Sequence, residues 1–349
     1  MATRISVARR TVMTPVILSL ILLAFALLAL AVGSKPFNQT IIDIFLRVIL
    51  VVGLYIFIGN SGVISFGHIG FTCLGAYAAA WLTIPPMMKQ ISLPGLPGWL
   101  MAMQLPFGVA AGIAAAFAAV FALIFGRILM RLSGIAASIA TFAMLAMINT
   151  VYSNWESVTA ATSSVVGIPI VRTIWPYLIG AVLAIFVAWA HAISRTGLAL
   201  RAAWDEPTAA AASGIDIPRE RLVAFTLSGA VMGLAGALFA HSIGVVTPDT
   251  FYLTLTFTSL SMLVVGGMGS LSGAVLGVVI LSSLIQALRW LESGVQVGGS
   301  ILSIPNGLQE IALGIVMIII LIFRPAGIMG NRELSWPMAR HRKPGPSAD

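Results

Sequence analysis

The chain has 349 residues, of which 59% are hydrophobic and only 9% are charged. Soluble domains carry about 25% charged residues, so this composition excludes a soluble globular protein and indicates an integral membrane protein. The formal charge of +8 would suit a nucleic-acid-binding protein. The basic residues are instead scattered between apolar segments and in the C-terminal tail, which indicates membrane orientation and no nucleic-acid partner.

Long apolar segments predict membrane-spanning helices. Each span needs about 20 apolar residues, and the segments lack the alternation typical of barrel strands. We therefore expect an all-α polytopic membrane protein with about ten transmembrane helices (about eight to ten), some of them broken by glycine. The first segment is longer than the apolar core of a signal peptide, so we expect it to remain as a helix. The expected spans are 14–32, 41–59, 64–83, a fourth that ends at Arg127, then 133–152, 173–193, 221–241, two helices within 254–290, and 307–323.

Basic residues at the ends of the spans predict the topology. Cytoplasmic loops are enriched in arginine and lysine, and the observed pattern fits an even number of spans with both termini in the cytoplasm. The arginines that carry this prediction are Arg4, Arg9, Arg10, Arg127, Arg131, Arg195, Arg201, Arg219, Arg221 and those of the tail. We divide the chain into a cytoplasmic N-terminus (1–13), a transmembrane domain (14–330) with a cytoplasmic loop at 194–220, and a basic cytoplasmic tail (331–349).

Isolated polar residues in or beside the apolar segments are interpreted one by one. Asp43 and Arg47 lie one turn apart on the second predicted helix, so we expect a structural ion pair near its outer end. His241 and Asp249 fall at the outer end of the seventh span and in the following loop, where we expect local contacts or contacts with an external binding protein. Cys73 is the only cysteine, so no disulfide framework is expected.

The stretch 197–222, "GLALRAAWDEPTAAAASGIDIPRERL", is unusual because it carries seven charged residues in an otherwise apolar chain. Asp205 is a suitable N-cap and Pro207 suits a first helical turn. Gly214 suits the position just after a helix, and Asp216 can start the next one. The pattern predicts a short alanine-rich helix between two turns. Such a helix is either an ordinary solvated loop or a docking element for another protein.

Two glycine-rich segments interrupt apolar stretches and are candidates for a translocation pathway. Glycine and serine within a span allow close helix packing, or they allow a helix to break and offer backbone groups to a cavity. His68 is either functional, as an ionisable group in a span, or a structural hydrogen-bonding group. The stripe of Gly229, Gly233 and Gly236 predicts helix packing. The pathway candidates are Ser61, Ser65, Gly67, His68 and Gly70 in the first segment, and Gly266, Gly267, Gly269 and Ser270 in the second.

Six segments in register resemble the branched-chain amino acid type of ABC importer permease. They are "SGVISFGHIGFTCLGAY" (61–77), "GLALRAAWDEPTAAAASGIDIPRERLVAF" (197–225), "SGAVMGLAGALFAH" (228–241), "TPDTF" (247–251), "VVGGMGSLSGAVLG" (264–277) and "LQEIALGIVMIIILIFRPAGIMG" (308–330). The second is similar to the coupling loop of such permeases, whose signature places Glu directly before Ala-Ala and Gly after three further residues. Ala209, Ala210 and Gly214 keep that spacing, whereas Glu206 lies two residues further upstream. The extra N-terminal span and basic tail resemble the LivM-type half of the permease pair more than the LivH-type half.

The resemblance implies a permease that moves a branched-chain or other hydrophobic amino acid across the bacterial inner membrane by alternating access. The residues it assigns to ATPase coupling are Asp205, Glu206, Ala209, Ala210 and Gly214. The implied partners are a second, LivH-like permease, two cytoplasmic ATP-binding subunits, a periplasmic solute-binding protein and membrane lipid. No Walker A motif occurs, because the lysines are Lys35, Lys89 and Lys343 alone. We therefore expect no cofactor in this chain, with ATP bound by the partner subunits.

Three other functions are weighed against this one. A urea, amide or small-carboxylate permease belongs to the same family type and would share the motifs. An ion-coupled secondary transporter could use His68, Asp43 and the glycine-rich segments as an ion site. Most acidic residues lie outside the apolar cores, however, and the alanine-rich helix has no role in that mechanism. An intramembrane enzyme is disfavoured because neither G-x-S-x-G nor H-E-x-x-H occurs.

Overall fold

The computed structural model describes residues 2–292, 295–297, 300–302, 308–330 and 332–334. The helices are α1 (Ala2–Val32), α2 (Lys35–Ser61), α3 (His68–Thr83), α4 (Pro86–Ser92), α5 (Gly98–Ala102), α6 (Phe107–Leu129), α7 (Gly134–Asn154), α8 (Glu156–Thr159), α9 (Trp175–Ile193), α10 (Arg195–Asp205), α11 (Pro207–Ala212), α12 (Ile217–Ile243), α13 (Leu253–Gly266), α14 (Leu271–Glu292) and α15 (Leu308–Phe323), with a 3-10 helix at Pro248–Phe251. Strand β1 (Val165–Val166) pairs antiparallel with β2 (Val245–Val246), and β3 (Val295–Val297) pairs with β4 (Ser300–Leu302). The all-α prediction is confirmed.

The predicted spans correspond to ten apolar helices among the described residues. Seven of them are long and apolar enough to cross a membrane, namely α1, α2, α6, α7, α9, α12 and α14. The other three, α3, α13 and α15, have 14 to 16 residues and are shorter than a full span. Two of these short helices, α3 and α13, border the glycine-rich segments, which separate α2 from α3 and α13 from α14. The expected short eighth helix is α13.

Helix α2 is the centre of the bundle. It is mostly apolar, and from Ile41 to Ser61 it is buried except at Asp43 and Arg47, as expected of a helix enclosed by other helices. It packs against α9, α12 and α14, and α12 in turn packs against α3 and α6. We call the end of the bundle that carries α10 and α11 the basal end, and the end that carries β1 and β2 the distal end. Helix α12 connects the two ends.

Helices α3 and α12 are in backbone contact through glycine. A methyl group at Gly236 would lie 2.0 Å from the carbonyl oxygen of Thr72, and one at Gly75 would lie 2.2 Å from that of Gly233. Gly229 and Gly233 similarly face Ala122 and Ala118 of α6. The prediction that the glycine stripe serves helix packing is confirmed, since a larger residue at these positions would separate the helices.

The distal loops are joined to one another by hydrogen bonds. The β1–β2 bridge ties the segment after α8 to the segment after α12. Beside it, the backbone N–H of Val171 donates to the carbonyl oxygen of His241 at 2.8 Å, and the Tyr177 hydroxyl donates to that of Val171 at 2.7 Å. The two loops predicted to lie outside the membrane, 153–172 and 242–253, are therefore neighbours. His241 is buried. Its Nδ1 lies 2.8 Å from the carbonyl oxygen of Ala237 in its own helix, and its ring packs against that of Phe107 in α6.

The described C-terminal residues pack on the basal end. The Thr14 hydroxyl donates to the carbonyl oxygen of Leu334 at 3.0 Å, and the Leu334 N–H donates to the Ser272 hydroxyl at 2.9 Å. Residues 332–334 thus belong to the bundle, although the sequence assigned them to the tail. The rest of the predicted tail, 335–349, lies outside the described residues. At the other terminus, α1 already begins at Ala2 and includes the predicted N-terminal segment 1–13 from that residue onward.

Candidate functional site

The short helix predicted in the charged stretch is α11, but its N-cap differs from the expectation. The Glu206 carboxylate accepts a hydrogen bond from the Thr208 N–H at 3.4 Å, and Pro207 is the first helical residue. Asp205 is the last residue of α10, so the prediction that it caps α11 is wrong. Strong helix formers such as leucine, arginine and alanine extend α10 through Asp205, which leaves the following glutamate to cap the next helix.

Gly214 ends α11 as predicted. Its φ angle is +84°, in the left-handed region that favours glycine. The Gly214 N–H donates to the carbonyl oxygen of Ala211 at 3.0 Å, and the Ile215 N–H donates to that of Ala210 at 3.1 Å. This pair of bonds is the Schellman motif. The helix therefore has a fixed length, because both of its ends are capped.

The exposed face of α11 carries mainly small side chains. Ala209 is exposed together with Thr208, Ala211 and Ala212, whereas Ala210 is only 5% exposed and faces inward. The two alanines of the predicted coupling signature thus have different environments. The inner face of α11 packs against α10 and α12. Because the side chains on its outer face are small, the backbone of another protein can approach that face closely.

Arg201 joins α10 to the central helix. Its Nε donates to the Asn60 side-chain oxygen at 2.8 Å, and its Nη2 donates to the Tyr55 hydroxyl at 2.9 Å. The Asn60 amide nitrogen donates onward to the carbonyl oxygen of Ile56 at 2.9 Å. In the sequence, Arg201 is recognisable only as a positive charge. An asparagine and a tyrosine five residues apart in a mostly apolar helix are the signal that could have suggested a polar partner.

A second contact between α10 and α2 lies at the point where α2 ends. Gly62 caps α2 with φ +69°, and the Trp204 indole fills the space that a side chain there would occupy. From Gly62 to Gly67 the chain is not helical, and α3 begins at His68. The first glycine-rich segment is therefore a true break between two helices, directly beside α10.

The candidate residues of this first break are closely packed. A methyl group at Gly67 would lie 2.5 Å from the carbonyl oxygen of Thr141, and one at Gly70 would lie 2.8 Å from the side chain of Ile148. Both neighbours belong to α7. Ser61 and Ser65 are buried, and the Ser61 hydroxyl accepts from the Val63 N–H at 3.2 Å. The small residues therefore let α7 contact the backbone of the break.

His68 lies in an aromatic cluster. Its Nδ1 is 2.7 Å from the Ser65 hydroxyl, and its side chain is fully buried. The ring lies 4.9 Å from that of Phe225, 5.2 Å from that of Phe57 and 6.0 Å from that of Phe71, measured between centroids. Within the described residues, Nε2 has no hydrogen-bond partner. This environment suits a neutral, structural histidine.

The second glycine-rich segment is a tight turn between α13 and α14, with Gly269 within it. A methyl group at Gly266 would lie 2.0 Å from the carbonyl oxygen of Gly273, so the two helices meet backbone to backbone. Gly267 has φ +118° and lies against Gly330. The Ser270 hydroxyl accepts from the Gly273 N–H at 2.9 Å and thereby caps α14.

Glu333 also caps α14. Its carboxylate accepts from the Leu271 N–H at 2.6 Å and from the Ser272 N–H at 3.0 Å. A carboxylate at this position is favourable because the first N–H groups of a helix lack partners and carry partial positive charge. Sequence analysis missed Glu333, because the pairing joins residues far apart in the chain.

The structure brings the two glycine-rich segments together. A methyl group at Gly59, one turn before the first break, would lie 2.6 Å from the carbonyl oxygen of Met268 in the second. The two segments thus meet in the basal part of the bundle beside the end of α2, where the backbone is closely packed.

Unlike the closely packed glycine-rich segments at the basal end, the distal end contains an open cavity lined by charged residues. It has a volume of about 370 Å³ and lies between α2, the end of α12, the 3-10 helix, α13 and α14. Its charged residues are Asp43, Arg47, Asp249 and Arg289. Asp43 accepts a hydrogen bond from the Gln39 side chain at 3.5 Å, and both Arg47 and Arg289 act on it electrostatically, so the expected pairing with Arg47 alone does not describe its surroundings. An arginine in α14 facing an acidic residue in α2 was not foreseen.

Residues 37–321 match the family described as the permease component of branched-chain amino acid transport systems. Two curated proteins are similar over a shorter stretch: the high-affinity branched-chain amino acid transport system permease proteins LivM of Salmonella typhimurium and Escherichia coli. They are 32% and 31% identical over 106 residues, which are 30% of this chain and 22% of each relative. The match thus spans about a fifth of those relatives. No solved structure matches the chain.

Proposed function

The chain belongs to the permease family of branched-chain amino acid transport systems, which comprises transport subunits and not enzymes, and from that premise we propose that it is the membrane-spanning subunit of an ABC importer. In this proposal the chain carries a branched-chain or other hydrophobic amino acid across the inner membrane by alternating access. ATP is hydrolysed by partner subunits.

The basal end faces the cytoplasm in this proposal. Positively charged residues are enriched on the cytoplasmic side of membrane proteins, and α10, α11 and the ends of the neighbouring helices concentrate them at the basal end. The described arginines there are Arg127, Arg131, Arg195, Arg201, Arg219, Arg221, Arg324 and Arg332. Both termini then lie in the cytoplasm.

Helix α11 is the element that couples the permease to an ATPase. The observation that carries this proposal is its combination of a bare, exposed alanine face with two fixed ends, the Glu206 cap and the Gly214 cap. A helix with capped ends moves as a rigid unit and transmits a displacement of the ATPase, whereas a flexible loop would deform and not transmit it. From α11 the push passes to α10, and Arg201 carries it to Asn60 on the central helix.

The break segments act as the cytoplasmic gate in this mechanism. At the basal end, Gly59 and Met268 are in contact, and at the distal end the charged cavity is open. This arrangement corresponds to an outward-facing permease ready to accept a solute. Motion of α10 would shift the end of α2 relative to α13 and open the contact between the two breaks.

The proposed partners are two cytoplasmic ATP-binding subunits, a second, LivH-like permease and a periplasmic solute-binding protein. The family description supports the presence of partner subunits, because it describes a permease component of a larger transport system. The ATP-binding subunits would contact α11, and the solute-binding protein would contact the loops joined by β1 and β2 at the distal end.

Photo-crosslinking in the native membrane tests the proposal. A photoreactive residue is placed at the exposed position Ser213, next to α11, and in a matched variant at the exposed distal position Ser163. We expect the Ser213 variant, and not the Ser163 variant, to capture a soluble ATP-binding subunit. Capture of lipid or of the chain itself at Ser213 would contradict the coupling role and leave an ordinary capped loop.

A further inference from the structure

We infer that the distal cavity is a binding site for a free amino acid in its zwitterionic form, with an apolar side chain. The inference rests on the proposed function and deepens it, because it assigns the residues that would hold the transported solute. It comes from the balance of charges around the cavity, from the apolar residues between them and from the cavity's size.

The charges are distributed over three separate elements. Asp43 and Arg47 lie on α2, Arg289 on α14 and Asp249 on the 3-10 helix. Both arginines act electrostatically on Asp43. Two guanidinium groups around one carboxylate leave an excess positive charge, which a solute carboxylate can satisfy through charge-assisted hydrogen bonds. Asp249 supplies the acidic group that a solute ammonium needs.

The remaining lining suits an apolar side chain. Leu46 and Leu50 of α2, Phe239 of α12 and Leu255 of α13 contribute hydrocarbon surface between the charged groups. Burial of such surface is the main favourable term in binding an aliphatic side chain. The volume of about 370 Å³ lies within the roughly 300–1,000 Å³ typical of small-molecule sites.

The charge balance separates amino acids from the other solutes that the sequence left open. Urea and simple amides have no ionised group, so they would leave all four ionic side chains of the cavity without a charged ligand. A small carboxylate could use the arginines, but Asp249 would then face the ligand without a cation, which is unfavourable in a partly desolvated site. A zwitterion satisfies both signs.

Ligand binding to the full chain in lipid nanodiscs tests the inference directly. The probe is leucine, detected by saturation-transfer NMR, with empty nanodiscs as the blank. Two analogues of the same shape are compared with it: leucinamide lacks the carboxylate, and 4-methylpentanoate lacks the ammonium group. We expect leucine to bind and each analogue to bind at least about tenfold more weakly, since each loses one charge-assisted interaction.

Variants then identify the residues. Arg289→Gln and Asp249→Asn should each weaken leucine binding by at least about tenfold, and the conservative variants Arg289→Lys and Asp249→Glu should recover part of it. Arg172→Gln and Glu156→Gln are matched controls, because these exposed residues lie outside the cavity. The amount of folded chain is measured for every variant by size-exclusion chromatography.

Several outcomes would overturn the inference. No leucine binding to the unmodified chain, equal binding of all three probes, or unchanged binding in both cavity variants would each show that the charges only neutralise one another and hold α2 and α14 together. None of these results bears on the crosslinking at Ser213, so loss of the binding site and loss of the coupling role are distinguishable. A failed crosslink at Ser213 together with normal leucine binding would contradict the coupling role of α11 and leave the binding site in place.

Discussion

The guanidinium group of Arg201 lies 2.8 Å from the side-chain oxygen of Asn60, although 141 residues separate them in the chain. One residue belongs to α10, immediately before α11, and the other to the last turn of the central helix α2. The polar contact therefore connects the exposed basal segment with the place where α2 ends and the first glycine-rich break begins. In the proposed mechanism, this contact transmits movement of α10 to α2.

Arg201→Gln should uncouple ATP hydrolysis from transport. The shorter, neutral side chain loses the charged donors to Asn60 and Tyr55, and hydrogen bonds to charged groups contribute about 1.5–3 kcal/mol each. In the assembled transporter we expect solute uptake to fall about tenfold or more while ATP hydrolysis continues. Arg195→Gln, which changes an exposed arginine on the same helix, is the control. Equal uptake in the two variants would refute the role of this contact.

Gly214→Val should impair coupling through the backbone alone. An added side chain at Gly214 meets no neighbouring atom, but the residue has φ +84°, which costs an ordinary residue about 1–2 kcal/mol and a β-branched one more. Gly214→Asn is the matched variant, because asparagine tolerates this conformation. We expect uptake to be reduced by valine and retained by asparagine. A similar loss in both would indicate that the glycine itself is needed at the docking surface.

Gly236→Ala should destabilise the bundle. The added methyl group would lie 2.0 Å from the carbonyl oxygen of Thr72, and overpacking of this kind costs about 1–3 kcal/mol. The control is Gly112→Ala in α6, where the methyl group meets nothing within 4 Å. The buried sole cysteine, Cys73, reports unfolding through its reaction with a thiol-specific fluorophore during heating. Only the Gly236 variant should unfold at a lower temperature, and unchanged melting would disprove the close contact.

Glu333→Ala should loosen the start of α14. The substitution removes the acceptor for the N–H groups of Leu271 and Ser272, and loss of a helix cap costs about 1–2 kcal/mol. Hydrogen exchange of these two amides should accelerate about tenfold. Arg332→Ala serves as the neighbouring control. If both variants exchange alike, the carboxylate does not cap the helix in solution.

Lys89→Met should loosen the distal loop between α4 and α6. The buried Lys89 ammonium group donates to the carbonyl oxygens of Leu100 and Met103, and removing it leaves both acceptors unpaired at a cost of about 1–3 kcal/mol. Protease added at the distal face should cleave this loop faster in the variant. Lys35→Met, at an exposed lysine, should leave the cleavage rate unchanged.

The same loop should respond to pH. Burial lowers the pKa of Lys89 below its ordinary value. Between the pKa of the folded loop and that of the unfolded loop, the unfolded form binds more protons, so the free energy of unfolding rises with pH in that window. The cleavage rate of the unmodified loop should therefore fall as the pH is raised through the alkaline range, and the rate in Lys89→Met should not show this fall.

The features that the sequence predicted correctly depend on residues close together in the chain. Runs of apolar residues located the ten apolar helices of the described part of the chain, and the turn preference of glycine located Gly214 after α11. The glycine stripe on α12 indicated a packing face because its spacing repeats within one helix. The mistaken cap at Asp205 was a matter of one residue, since aspartate and glutamate are adjacent and α10 continued further than expected.

The features that the sequence did not predict join distant segments. Nothing near Arg201 in the chain points to Asn60, and nothing near Asp43 points to Arg289, because only the packing of α2 against α10 and α14 brings them together. Likewise, two glycine-rich segments of similar composition suggested a common role. Only the three-dimensional structure shows that they meet at Gly59 and Met268. It also places the charged cavity at the opposite end of the bundle.

The distal cavity contains two acidic and two arginine side chains, so its formal charges sum to zero. Carrying one net elementary charge through a membrane potential of 100 mV involves about 2.3 kcal/mol of electrical work. A zwitterion has no net charge, so carrying it involves none of this work. Uptake through such a site would be insensitive to the membrane voltage, and the free energy of ATP hydrolysis would be used against the solute concentration gradient alone.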